Sequence, residues 1–135
     1  PAARGGRSVE SRVLSAYARL GITPELHRTE RAGHAAELAR AAHRDGDIHV
    51  LGGDGTVMEV VGAMVGSGVR VGIIPGGTGN QLARHLGIPL NVERAVAALA
   101  TGTPRTMDLA RLADRRYVAI AAGLGLDADM IALTS

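Results

Sequence analysis

Two glycine-rich stretches each follow a short apolar run and precede a helix-like run. No other feature constrains the fold of this chain so strongly. The first is LGGDGTVMEVVGAM at 51–64 and the second is IIPGGTGNQLA at 73–83. DIHVL (Asp47–Leu51) leads into the first and VRVGII (Val69–Ile74) into the second, both reading as short buried strands. Helices are expected after them, over Val57–Val65 and Asn80–Leu86. In an open parallel sheet, ligands bind outside the carboxyl ends of the strands. Both loops therefore open at one sheet edge, and they line one crevice if the strands are neighbours. Glycine lets the backbone take positive φ and lets a ligand approach the main chain closely. The first turn of the next helix presents unpaired amides, which suit phosphate. Thr56 and Thr78 add hydroxyl donors beside them.

Asp54 does not fit a simple anion cradle, because a carboxylate repels phosphate. It fits if it holds magnesium through water, orients an amide loop or accepts a proton. Asp54-Gly55 is also an ordinary turn pair. A second loop in register at the same edge favours the phosphate reading over the turn alone.

The rest of the chain continues the alternation. Pro1–Arg7 reads as a loop. Ser8 caps a helix to about Leu20, with Val13, Tyr17 and Leu20 on one face and Gly21 as its stop. A strand is expected over Ile22–Arg28 and a helix over Gly33–Arg44. Asn91 caps a further helix from Val92 to Ala100. Strands alternating with helices of this length predict an α/β fold, an open, mostly parallel sheet with helices on both faces. After Pro104 the rhythm changes. Thr106–Leu112 and Arg116–Ala122 read as two strands joined by an Ala-Asp-Arg turn. This hairpin marks the start of a β-rich second domain, which divides the chain into 1–104 and 105–135.

Composition narrows the function. In 135 residues no apolar run approaches the roughly 18–20 residues of a membrane span. The opening PAARGGRSVE lacks the apolar core of a signal peptide. There is no cysteine, so thiolate chemistry is excluded. A soluble, cytoplasmic protein is expected. Tyr17 and Tyr117 are the only aromatic residues, which removes the stacking platforms of single-strand binders. The arginines are scattered, so no nucleic-acid partner is expected. All fifteen basic residues are arginine. That excludes the lysine of a Walker-type loop and any Schiff-base lysine. Attraction to a phosphate ligand or an anionic membrane surface stays open. A homodimer is compatible with the sequence.

Other candidates are weaker. GLGLDA at 123–128 fits a dinucleotide fingerprint but follows a hairpin strand, so a tight turn is expected there. Asp127 and Asp129 read as the acidic first turn of a helix rather than as metal ligands. The five histidines show no metal-binding spacing, and no metal-ligating residues are assigned. His49 is expected as a satisfied core histidine, His34 and His43 on a solvated face. No serine lies in a nucleophile elbow. Arg28, Arg31 and Arg84 lie near the expected crevice, where they could meet phosphates or serve as ordinary surface arginines.

GGDGTVMEVV followed by IPGGTGNQLAR resembles the diacylglycerol kinase catalytic family, which includes bacterial lipid kinases and sphingosine kinases. Gly-Gly-Asp-Gly-Thr alone is shared with NAD kinases; Gly-Thr-Gly-Asn at this distance makes the likeness specific. TERAGHAAELAR at 29–40 is similar to the family's Thr-x-x-x-Gly-x-Ala segment. MDLARLADRRYVAIAAGLGLDADM at 107–130 is similar to the start of its second domain, and PAARGGR to its Asn-Pro-x-x-Gly opening. The resemblance implies an ATP- and Mg2+-dependent kinase that phosphorylates a lipid hydroxyl at a membrane surface, peripheral on its inner face. It implies nucleotide contacts at Thr29, Gly52, Gly53, Asp54, Gly55, Thr56, Val57 and Met58. In the second loop it implies Gly76, Gly77, Thr78, Gly79 and Asn80. Asp54 is the catalytic candidate, with the main base expected beyond Ser135. Met58 stands where the family usually has Asn or Asp, and Gln81 where many members have Asp. On the resemblance a first strand and most of a second domain are absent, so the chain by itself is expected to bind nucleotide poorly and not to turn over lipid. The alternatives are an NAD kinase-like enzyme and a nucleotide-binding or oligomerising fragment without turnover.

Overall fold

The computed structural model describes residues 2–42, 44 and 46–119, with side chains from residue 9 onward. In chain order the elements are α1 (Ala2–Arg19), α2 (His34–Ala42), β1 (Ile48–Gly52), α3 (Asp54–Met64), β2 (Val71–Pro75), α4 (Gln81–His85), α5 (Val92–Thr101), β3 (Ala110–Arg111) and β4 (Tyr117–Val118). β1 and β2 run parallel and pair residue for residue from Ile48↔Val71 to Gly52↔Pro75. The β–loop–helix–β order read from the sequence is thus observed, and the two apolar runs are neighbours.

Strand alternation sorts the core into two layers, because successive side chains point to opposite faces. The paired residues Val50 and Ile73 join Ala35 and Ala39 of α2, Val57, Val60 and Met64 of α3, and Leu82 and Ala83 of α4. Their neighbours Leu51 and Ile74 face the other way, where Val13, Ala16 and Tyr17 of α1 meet Val92, Ala95 and Val96 of α5. Helices therefore cover both faces of the sheet, as an α/β architecture requires. With Phe and Trp absent, this core is filled by aliphatic side chains and Tyr17.

Helix ends follow local chemistry. Gly21 takes φ 72°, its N–H bonds the Ala18 carbonyl, and Ile22 N–H reaches back to Tyr17. That pair of bonds is a Schellman stop and explains why Gly21 ends α1. The Asn91 side chain accepts from Arg94 N–H at 2.9 Å, the expected cap of α5. Arg12 of α1 forks onto Glu93 of α5 with two 2.7 Å bonds, and holds that carboxyl down at about 2.

Several expectations need correction. α1 starts at Ala2, not at a Ser8 cap, so the opening is helical rather than a loop. Alanine and arginine propagate a helix well enough to carry Gly5 and Gly6 once the downstream face is docked. Ile22–Arg28 forms no strand among the described residues; it has no ladder partner, and Ile22 and Leu26 are exposed. β propensity without a neighbour does not make a strand. The hairpin is present but short, with Ala110↔Val118 and Arg111↔Tyr117 as its pairs and Arg115 at φ 68° in its turn. Met107 and Ala119 pack partly against the core layer that contains α3. The second strand beyond residue 119, the GLGLDA turn, Asp127 and Asp129 lie outside the described residues, as does His43.

His49 is satisfied, but it is not a core residue. Its ring stacks on Tyr17, with centroids 5.7 Å apart and planes at 24°, and its Nδ1 hydrogen-bonds the Tyr17 hydroxyl. The residue as a whole is exposed, while the ring edge toward Tyr17 is covered. Burial pushes the Tyr17 hydroxyl up to about 12. Burial likewise lowers His49 from its ordinary value, partly offset by Asp47. A histidine depressed in the folded state is protonated first in the unfolded chain, so stability is lost as pH falls through the unfolded value of about 6.5. The melting temperature is expected to drop between about pH 7.5 and about pH 5.5, a window above the carboxylate range. His49→Gln should flatten that drop in thermal denaturation; equal slopes in both proteins would contradict the assignment.

Candidate functional site

Because Gly52 pairs with Pro75, β1 and β2 end level and release their loops side by side. The loops then touch through their backbones. Gly76 N–H donates to the Gly52 carbonyl at 2.9 Å. A Cβ on Gly77 would lie 2.4 Å from the Gly53 Cα, and one on Gly76 would lie 3.1 Å from the Gly52 N. No side chain fits at Gly77, and one at Gly76 would be tightly crowded, so packing demands the one glycine and favours the other before any ligand is considered. The space beneath the loops, lined among others by Gly53, Asp54, Pro75 and Leu82, is too small to admit a water molecule. A ligand of these loops therefore rests on their outer rim.

Two side chains lock the pair. Asn80 takes a left-handed backbone (φ 51°, ψ 42°) and closes its own loop: its Oδ1 accepts from Gly77 N–H at 2.9 Å and its Nδ2 donates to the Gly77 carbonyl at 2.7 Å. Asn tolerates this backbone better than most residues. Asp54 crosses from the first loop to the second. Its Oδ1 accepts from Leu82 N–H at 3.2 Å, and its Oδ2 lies beside Gly79, 3.0 Å from where a Cβ would stand. Of the three roles open to Asp54, orienting the neighbouring amide loop is visible in the geometry.

These bonds also decide which amides remain. Gly76 and Gly77 donate inward. The first helical bond of α3 runs from Val57 N–H to the Gly53 carbonyl. The amides of Asp54, Gly55 and Thr56 precede it and have no partner among the described residues, as at any helix start. Thr78 and Gly79 N–H have no partner among the described residues. Gly55 is exposed, and a Cβ there would meet nothing within 4 Å. Thus Gly55, unlike Gly77, has no packing reason to be glycine.

The remaining candidates are placed as follows. Thr78 is exposed on the second loop, and Thr56 packs beside Gly52. Val57 is buried, and Met58 packs partly against the core. Thr29 is exposed in the segment before α2 and is not hydrogen-bonded to either loop. Arg28 forks onto Glu10 and Arg31 onto Glu37. Arg84 donates its Nε to the Gly79 carbonyl at 2.9 Å. Glu59, which sequence reasoning passed over, accepts from Gly33 N–H at 3.0 Å and ties α3 to the start of α2. Its partner is 26 residues away, so no local pattern signals it. No group of three metal-ligating side chains exists among the described residues. A magnesium ion carried on phosphates asks for less, one or two carboxylates plus water, and Asp54 meets that need.

The profile of the diacylglycerol kinase catalytic domain matches residues 2–112. A diacylglycerol kinase of Bacillus subtilis (strain 168) is 35% identical over 118 residues, 84% of this chain and 39% of that protein. One of Staphylococcus haemolyticus is 36% identical over 115 residues, 82% of this chain and 35% of that protein. This chain thus spans well under half the length of these curated relatives. A solved structure from Bacillus anthracis str. Sterne superposes with a TM-score of 0.69 at 28% identity, covering 82% of this chain and 39% of that one. A diacylglycerol kinase structure from the same organism gives 0.59 at 31% identity, covering 69% and 36%.

The loop geometry separates two glycines. Gly77→Ala should lower unfolding stability by about 1–3 kcal/mol, the usual result of forcing atoms into a filled site. Gly55→Ala should leave stability unchanged or raise it by up to about 1 kcal/mol, since alanine is the better helix former. Urea denaturation of both variants checks this; similar losses in the two would contradict the packing described.

Proposed function

The chain belongs to the diacylglycerol kinase catalytic domain family, and on that premise we propose that it carries the nucleotide-binding part of an ATP-dependent lipid kinase. The observation that supports this most is the level ending of β1 and β2, which sets two glycine loops against each other at one sheet edge. The nucleotide lies along the outer rim. The open amides of Asp54, Gly55, Thr56, Thr78 and Gly79 meet its phosphates, with the Thr56 and Thr78 hydroxyls beside them. Gly52, Gly53, Gly76, Gly77 and Asn80 shape that rim, Val57 and Met58 back it from the core side, and Thr29, in the segment before α2, adds a further contact. The nucleotide-binding unit runs over 1–104, and the hairpin opens a lipid-binding unit over 105–135.

The acceptor is a diacylglycerol-like hydroxyl at a membrane surface. No described helix is long and apolar enough to cross a membrane, and in this reading the protein acts peripherally on the inner, cytoplasmic face. In the transfer, the lipid oxygen bonds the γ-phosphorus, the bond to the bridging oxygen breaks, ADP leaves and the hydroxyl proton passes to a base. Such a transfer is mostly positioning and charge neutralisation. Magnesium on the phosphates supplies neutralisation when bound. In this chain, Asp54 Oδ1 orients the start of α4, while Oδ2, beside Gly79, is available to hold that ion through water or to take a proton.

The test is phosphate transfer from magnesium-ATP to diacylglycerol in mixed vesicles by a protein that carries this chain together with a complete second domain, because the chain by itself is expected not to turn over lipid. A phosphorylated lipid is expected, and no product with NAD as acceptor; the reverse result would make the NAD kinase-like reading correct. Asp54→Asn keeps an oxygen for Leu82 N–H but loses the charge. It should retain ATP affinity and thermal stability while transfer falls about 10²-fold or more. Undiminished transfer would restrict Asp54 to a structural role.

A further inference from the structure

We propose that Arg84 is the side-chain cation that meets the phosphates of the nucleotide on the glycine loops, an inference that rests on the reading above. A polyphosphate carries several negative charges, and amides alone neutralise them incompletely. This chain has no lysine to help. Three arginines were expected near the crevice, and the structure distinguishes them. Arg28 already forks onto Glu10 with bonds of 3.1 and 2.6 Å, and Arg31 onto Glu37 with bonds of 2.9 and 2.6 Å. Arg84 has no carboxylate partner among the described residues. Its one hydrogen bond runs from Nε to the Gly79 carbonyl at 2.9 Å.

That bond matters in two ways. Gly79 belongs to the second loop and lies beside Asp54, so the guanidinium is held on the rim where the two loops meet. The bond also uses Nε only, leaving both terminal nitrogens, Nη1 and Nη2, for a phosphate. A planar fork with one edge fixed loses little freedom on binding, and it matches two phosphate oxygens. The backbone that carries it is equally fixed. Leu82 and Ala83, the two residues before it, are 1% and 2% exposed, so this turn of α4 is anchored in the core. Gly87, at φ 71°, then closes the helix with its N–H on the Arg84 carbonyl. Arg105 donates to the Leu86 carbonyl, and Arg70 lies at the opposite end of the sheet, where it bonds Asp47.

The test is calorimetric titration of the protein, Arg84→Gln and Arg70→Gln with magnesium-ATP and with inorganic triphosphate. Arg70→Gln removes the same charge far from the rim. Arg84→Gln should weaken both ligands roughly ten- to a hundredfold, the effect of one hydrogen bond to a charged group. Arg70→Gln should leave both within about threefold, the spread expected of a distant exposed charge. The thermal midpoint of Arg84→Gln should not change. Unchanged affinity in Arg84→Gln, equal losses in the two variants, or a loss for ATP without one for triphosphate would overturn the proposal. A loss that accompanies a lowered midpoint, and that Arg84→Lys does not partly restore, would assign Arg84 to loop structure instead. If the unsubstituted protein binds neither ligand, the nucleotide reading itself fails, and this inference with it.

Discussion

The contact between two backbones, Gly77 against Gly53, is the constraint on which the site depends. It exists because two parallel strands end at the same level and both chains must turn at once. Side chains at that point would force the loops apart and break the bond from Gly76 N–H to the Gly52 carbonyl. The glycines therefore serve the fold first. Their density exaggerates the size of the cradle, because two of the amides in the second loop are turned inward. What is left open is a narrow rim, the first turn of α3 and the Thr78-Gly79 segment.

That rim is rigid for reasons lying outside it. α3 sits on the sheet through Val57, Val60 and Met64, and burial of each such side chain contributes about 1.5–3 kcal/mol. On the other face, Tyr17 reaches across to His49 while Arg12 and Glu93 join α1 to α5. The ion pair is exposed and contributes little to stability; the helix packing beneath it holds the layer. A binding loop on such a base keeps its donors aimed without a ligand present, which lowers the ordering cost of association.

Much of this was legible in the sequence because it is local. Short apolar runs, glycine stops and the Asn91 cap are short-range signals, and they placed β1, β2 and the helices that follow them within a few residues. The Ile22–Arg28 segment shows the limit: its residues favour extension, but a strand is a property of two segments, and the sequence does not display the second. The opening failed the other way. Gly5 and Gly6 read as loop, yet the anchored helix downstream extends through them. In the site, the glycine loops and Asp54 were visible, and so was their common edge. Their joining was not. The bond from Asp54 to Leu82 N–H spans 28 residues, and the Tyr17–His49 pair spans 32. Asn80 was read as a ligand contact, and its side chain has a second task that was not foreseen: it grips Gly77 from a left-handed backbone, which nothing in the letters announces.

The central claim is that two loops act as one phosphate surface with a defined set of open amides. Backbone amide shifts recorded by NMR during titration with magnesium-ATP test it directly. The account predicts that Asp54, Gly55 and Thr56 move together with Thr78 and Gly79, at one common affinity, while Gly76 and Gly77 keep their internal bonds and their slow exchange with solvent. Perturbation confined to one loop, or equal perturbation of Gly76 and Gly77, would contradict it.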